Sequence, residues 1–116
     1  MEDDDEIRQF AFKVLSKNGY NVSAASTVKE ALEIFLKEKG GFDLLLSDMV
    51  LPDKNGLELA GQLRVAKPKL PIIIASGYTD KKIELNGLAE KGYKFVQKPY
   101  NTIHLLKMIK QSLTAD

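Results

Sequence analysis

The sequence predicts an α/β fold, a doubly wound parallel sheet in one domain spanning residues 1–116. Two observations carry this. Short apolar runs alternate with segments of helical periodicity, a rhythm that implies right-handed crossovers and a parallel sheet covered on both faces. Polar, chemically capable side chains also stand at the carboxyl ends of those runs, where open parallel sheets bind their ligands.

In chain order, Ile7, Phe10, Ala11 and Val14 recur at helical spacing, and Asn18-Gly19 supplies a stop. Tyr20 to Ala25 reads as a short strand, with Tyr20, Val22 and Ala24 on one side. Thr27-Val28-Lys29-Glu30 has the form of a capping box. A helix through Ala31, Leu32, Phe35 and Leu36 follows, until Gly40-Gly41 breaks it. Phe42 to Ser47 is a continuous apolar run suited to a strand buried on both faces. A polar loop from Asp48 to Asn55 leads to a helix with Leu57, Leu59, Ala60 and Leu63. Pro68 closes that helix, and Pro71 to Ala75 is the plainest strand. A weaker helix is predicted from about Asp80 to Lys91, interrupted by Gly87. Tyr93 to Val96 forms a last strand. Asn101 or Thr102 then caps a helix carrying Ile103, Leu106, Ile109 and Leu113, with His104 on an inert, exposed position. No strand precedes the first helix, although an alternating fold calls for one.

Composition narrows the function. Hydrophobic residues make up 44% and charged residues 28%, so the chain has the means to bury a core. A net charge of +1 gives no support to nucleic acid or a membrane surface as partner. No apolar run is long enough to span a bilayer. Without cysteine, thiol catalysis and cysteine-held metals are excluded, and a reducing, cytoplasmic setting fits.

The chemistry collects at Asp48, Ser76 and Lys98, each after a strand, and at the acidic start Glu2-Asp3-Asp4-Asp5. Carboxylates, a hydroxyl and an ammonium at one edge suit phosphoryl transfer to a carboxylate, provided the incoming charge is neutralised. Clustered carboxylates repel one another unless a cation sits among them, and magnesium suits carboxylate and phosphate oxygen. Glu2 and Asp3 are equally read as acids serving the positive end of a helix. Asp4 and Asp5 read as solvated charges at its start.

Four segments together resemble the response-regulator receiver domains of two-component signalling: Glu2 to Arg8, Asp48 to Gly56, Ile74-Ala75-Ser76-Gly77, and Gln97-Lys98-Pro99-Tyr100. The resemblance covers nearly the whole chain. It implies a flavodoxin-like receiver fold with Asp48 as phosphoacceptor, charged by a phosphohistidine on a histidine kinase or histidine phosphotransfer domain. It further implies Mg2+ held by Glu2, Asp3, Asp48 and the backbone carbonyl of Val50. Ser76 and Lys98 would contact the phosphoryl group, Ser76 and Phe95 would form the switch, and the Lys98–Pro99 peptide would be cis. The segments after Ser76 and Phe95 look most like receivers of hybrid sensor histidine kinases, with a free-standing regulator as the nearest competitor.

The chain departs from that pattern in two ways. Phe95 stands where the switch is often a phenol, so its hydrogen bond is lost. The family's central first strand is missing or cut, because Met1 stands at its last position. A sheet with a gap, a rearranged strand order, or strand exchange in a dimer is therefore expected. Val50 and Tyr78 flank the acceptor and predict a long-lived acyl phosphate. Three other functions compete. A phosphorylation-independent pseudo-receiver would act as an interaction module. A magnesium-dependent aspartyl phosphatase usually wants a second aspartate where Val50 stands. A flavodoxin-like cofactor binder would need a phosphate-cradling loop after the first strand, and the acidic start would repel phosphate.

Overall fold

Helices begin here where a side-chain acceptor meets the bare amides of a first turn. In the computed structural model, which describes residues 2, 4–48, 56–76, 92–97 and 100–114, Asp4 caps helix α1 (Asp5–Lys17). Its Oδ1 accepts from the amides of Glu6 at 3.0 Å and Ile7 at 3.1 Å, so Asp4 is a cap and not merely a solvated charge. The helix stops at Asn18, and Gly19 takes φ +89°, a conformation that costs a residue without Cβ little. Helix α2 (Val28–Lys37) is capped by Thr27, whose hydroxyl accepts from Glu30 N–H at 3.1 Å. The Glu30 carboxylate reaches back to Ser26 N–H at 3.0 Å, one residue beyond the expected box. Lys39 and Gly40 both have positive φ at its end, and a Cβ on Gly40 would stand 3.2 Å from the Phe35 ring.

Strand β1 (Leu45–Asp48) is followed by α3 (Gly56–Ala66), β2 (Ile72–Ser76), β3 (Lys94–Gln97) and α4 (Thr102–Thr114). Asn101 caps α4, its Oδ1 accepting from His104 N–H at 3.0 Å. Among the described residues the sheet has three parallel strands in the order β1-β2-β3. The register sets Asp48 beside Ala75 and Ala75 beside Val96. The predicted helix from about Asp80 to Lys91 lies outside the described residues.

Two cores flank the sheet. Val28, Phe35, Leu59, Leu63, Leu70, Ile72 and Ile74 form one with α2 and α3. Leu15, Ile73, Ala75, Val96, Leu105 and Ile109 form the other with α1 and α4. Ile73 and Ile74 are each 0% exposed on opposite faces of β2, as a strand covered on both sides requires.

Three sequence expectations are corrected. Phe10, Leu36 and Ile103 were expected on apolar helix faces but are exposed. For α1 the inward face is set by Leu15, and at 100° per residue Phe10 falls about 140° away from it. The strands run one or more residues later than expected, so Asp48 ends β1 instead of starting the loop. Tyr20 to Ala25 is not a strand. Its apolar alternation survives, with Tyr20 and Val22 packed on the second core, but a ladder needs a partner. Between this segment and β1 lies a cavity of about 490 Å³.

Candidate functional site

The carboxyl ends of the strands gather the site. Ser47 and Asp48 are buried at the end of β1, Asp48 with 2% of its surface exposed. The Ser47 hydroxyl donates to the Asp48 carbonyl at 2.9 Å, closing the strand end locally. One carboxylate atom, Asp48 Oδ1, is buried and accepts no hydrogen bond, although the residue interacts with its surroundings.

Glu2 is the second carboxylate. It is 4% exposed, too buried for an acid that only decorates a helix start, and the capping is done by Asp4. Three bonds fix its backbone and side chain. Its N–H donates to the Ala25 carbonyl at 3.1 Å, its carbonyl accepts from Arg8 Nη1 at 3.0 Å, and its Oε2 accepts from Asp4 N–H at 3.2 Å. Arg8 is itself ion-paired with Asp5. The first turn of α1 thus holds Glu2 in place.

Tyr100 joins the two acids. Its phenol is pushed well above its ordinary range, first by burial, then by the charges of Asp48 and Glu2. Sequence reasoning quoted Tyr100 within a motif and gave it no role. The available signal was an aromatic residue between the last strand and the Asn101 cap.

Of the other expected site residues, Ser76 closes β2 in register with Gln97, the residue before Lys98. Phe95 is half-buried against the first core and pairs in register with Ile74. His104 is exposed on α4. Asp3, Val50, Lys98 and Pro99, with the flanking Tyr78, lie outside the described residues. Among the described residues no three His, Cys, Asp or Glu side chains converge as a metal site. Two buried acids that both act on one phenol nonetheless fit half of a divalent-cation site, since a cation offsets their repulsion. Among the described residues no helix is long and apolar enough to cross a membrane.

Comparison with known proteins agrees with this arrangement. The family model of the response regulator receiver domain matches residues 1–110. The receiver protein CpdR of Brucella abortus (strain 2308) is 32% identical over 98% of this chain and 93% of its own length. The sensor kinase CckA of the same organism is 33% identical over 97% of this chain, which spans 12% of that kinase. A solved CheY-like receiver domain protein from Methanospirillum hungatei JF-1 superposes with a TM-score of 0.86 at 31% identity, covering 97% of this chain and 88% of that one. The parallel sheet, its two helical layers and these matches together place the chain in the response regulator receiver domain family of two-component systems.

Proposed function

We propose that the chain is a phosphoacceptor that takes a phosphoryl group from a phosphohistidine onto Asp48 and signals by a change of conformation. The observation that carries this is a buried carboxylate ending β1 at the shared carboxyl edge of three parallel strands. An oxygen of Asp48 attacks phosphorus as the P–N bond to imidazole breaks, and the imidazole leaves with a proton. Lys98 and Ser76 hold the phosphoryl oxygens, and Ser76 with Phe95 relays the change to the surface. Glu2, Asp3, Asp48 and the carbonyl of Val50 would hold magnesium, which neutralises charge on the acids and the phosphoryl group when bound. On this reading the donor is a histidine kinase or histidine phosphotransfer domain in the cytoplasm. The only turnover is self-phosphorylation and self-dephosphorylation.

The test is exposure to acetyl phosphate with magnesium, followed by intact mass. A gain of one phosphoryl group that Asp48→Asn abolishes supports the proposal. A gain that survives the substitution assigns the acceptor elsewhere. A second reading is an interaction module that needs no phosphorylation. A folded chain that takes no phosphoryl group under these conditions favours that second reading.

A further inference from the structure

Ser47 carries a hydroxyl into an apolar layer. It is 0% exposed and stands immediately before Asp48, the last residue of β1. The register pairs it with Ile74, and Ile74 in turn with Phe95. Side chains alternate along β1, with Leu45 on the first core and Leu46 on the second, so Ser47 returns to the side of α2 and α3. There it shares a row across the sheet with Ile74, a member of the first core, and Phe95, which packs against that core. An alanine at this position would occupy the row with no polar group to satisfy.

A buried hydroxyl must find a partner or forfeit its hydration. This one donates to the carbonyl of the next residue, Asp48, at 2.9 Å. The bond lies within β1 and ties no two elements together, so it contributes little to holding the fold. What it fixes is direction. The Asp48 carbonyl belongs to a planar peptide, so holding its oxygen holds ψ of Asp48 and the course on which the chain leaves the strand. The rotamers open to a side chain depend on those backbone torsions. The Asp48 carboxylate, only 2% exposed, is thereby limited in the directions it can take.

We propose that Ser47 is a positioning residue for Asp48, its hydroxyl setting the last peptide of β1 and through it the aim of the carboxylate. It gives no atom to the transferred group and no ligand to a metal. Its effect on phosphoryl transfer rests on the phosphoacceptor reading, whereas its effect on the aim of the carboxylate does not. A nucleophile held in one direction meets phosphorus in line more often than one free to turn. Loss of the hydroxyl therefore slows capture without abolishing it.

The experiment compares the full chain with Ser47→Ala and Ser47→Cys. The first measurement needs no phosphodonor: nuclear magnetic resonance of the Asp48 carbonyl and carboxyl carbons in chelator. In Ser47→Ala both resonances should shift, while those of Leu105 and Ile109 in the second core stay in place. The second measurement follows intact mass with time in acetyl phosphate and magnesium. Ser47→Ala should gain its phosphoryl group about tenfold more slowly than the parent, short of the roughly hundredfold that a 1 Å misplacement costs. Ser47→Cys, with similar volume and a weak donor, should fall between the two. Both variants should melt within about 4 °C of the parent, as loss of one local hydrogen bond requires. An Asp48 carboxyl resonance unmoved in Ser47→Ala would overturn the proposal, as would equal rates in that variant and the parent. Equal slowing by alanine and cysteine, or slowing that accompanies a melting loss beyond about 8 °C, would overturn it in favour of packing. A parent that gains no mass refutes the phosphoacceptor reading instead, and the resonance comparison then decides this one.

Discussion

Asp48→Asn tests the electrostatics of the site without any phosphoryl donor. The carboxylate is 2% exposed and Glu2 is 4% exposed, and both act on the Tyr100 phenol. An ionised group at that depth has lost most of its hydration, and its like-charged neighbour adds to the cost. The amide keeps the volume and one acceptor while removing the charge. Relief of desolvation and repulsion is worth about 2–3 kcal/mol, less about 1 kcal/mol for new amide donors that need partners. The net stabilisation expected is about 1–2 kcal/mol. Unfolding entropy near 2.1 cal/mol/K per residue, over 116 residues, converts each kcal/mol into about 4 °C. The variant should therefore melt about 4–8 °C above the parent in chelator, followed by far-UV circular dichroism. Magnesium should then raise the parent by RT ln(1 + [Mg]/Kd), about 2.7 kcal/mol at a hundredfold excess over Kd, and leave the variant nearly unmoved. A variant that melts at or below the parent without metal would refute the buried-charge argument. Equal shifts of both proteins with magnesium would refute the cation half-site.

Three further outcomes are expected. Tyr100→Phe should alter stability only at alkaline pH. The raised phenol keeps its proton in the folded chain after the unfolded chain has lost it, so stability present below about pH 10 declines as pH rises beyond that value. Urea unfolding from pH 8 to 11 should show this decline in the parent and a flatter profile in the variant. In the core, Ile74→Ala should cost about 2–5 kcal/mol because Ile74 is wholly enclosed, while Val65→Ala at 86% exposure should stay within about 0.5 kcal/mol. Similar midpoints for the two in urea would place Ile74 outside the core. Thr27→Ala should lower stability by about 1 kcal/mol through loss of the α2 cap, with Thr27→Ser restoring most of it. No loss in the alanine variant would mean that water replaces the cap without cost.

Much of the fold was legible because its signals are local. The caps at Thr27 and Asn101, the stop at Asn18-Gly19 and the run Ile72 to Ala75 each depend on residues within a few positions of one another. The apolar run before Asp48 gave a strand there, although Asp48 itself belongs to β1 and not to the loop. The inward face of α1 was less legible. Phe10 shares helical spacing with core residues, yet which side turns inward depends on the sheet and α4 that the helix meets. Glu2 and Asp4 posed the same difficulty, since both are acids before a helix. Only the bond of Glu2 N–H to the Ala25 carbonyl, and its burial, separate the two roles.

The sequence by itself determined the alternation of helices and strands and the line of polar groups at the carboxyl edge. Local propensity, capping and the period of apolar residues suffice for those. Tertiary structure alone decided that Tyr100 lies under the influence of Asp48 and Glu2, residues far from it in the chain. It also decided that Tyr20 to Ala25, strand-like in pattern, forms no strand. Side-chain alternation is written in a segment, but the hydrogen bonds of a ladder belong to two, and the second is absent beside it among the described residues.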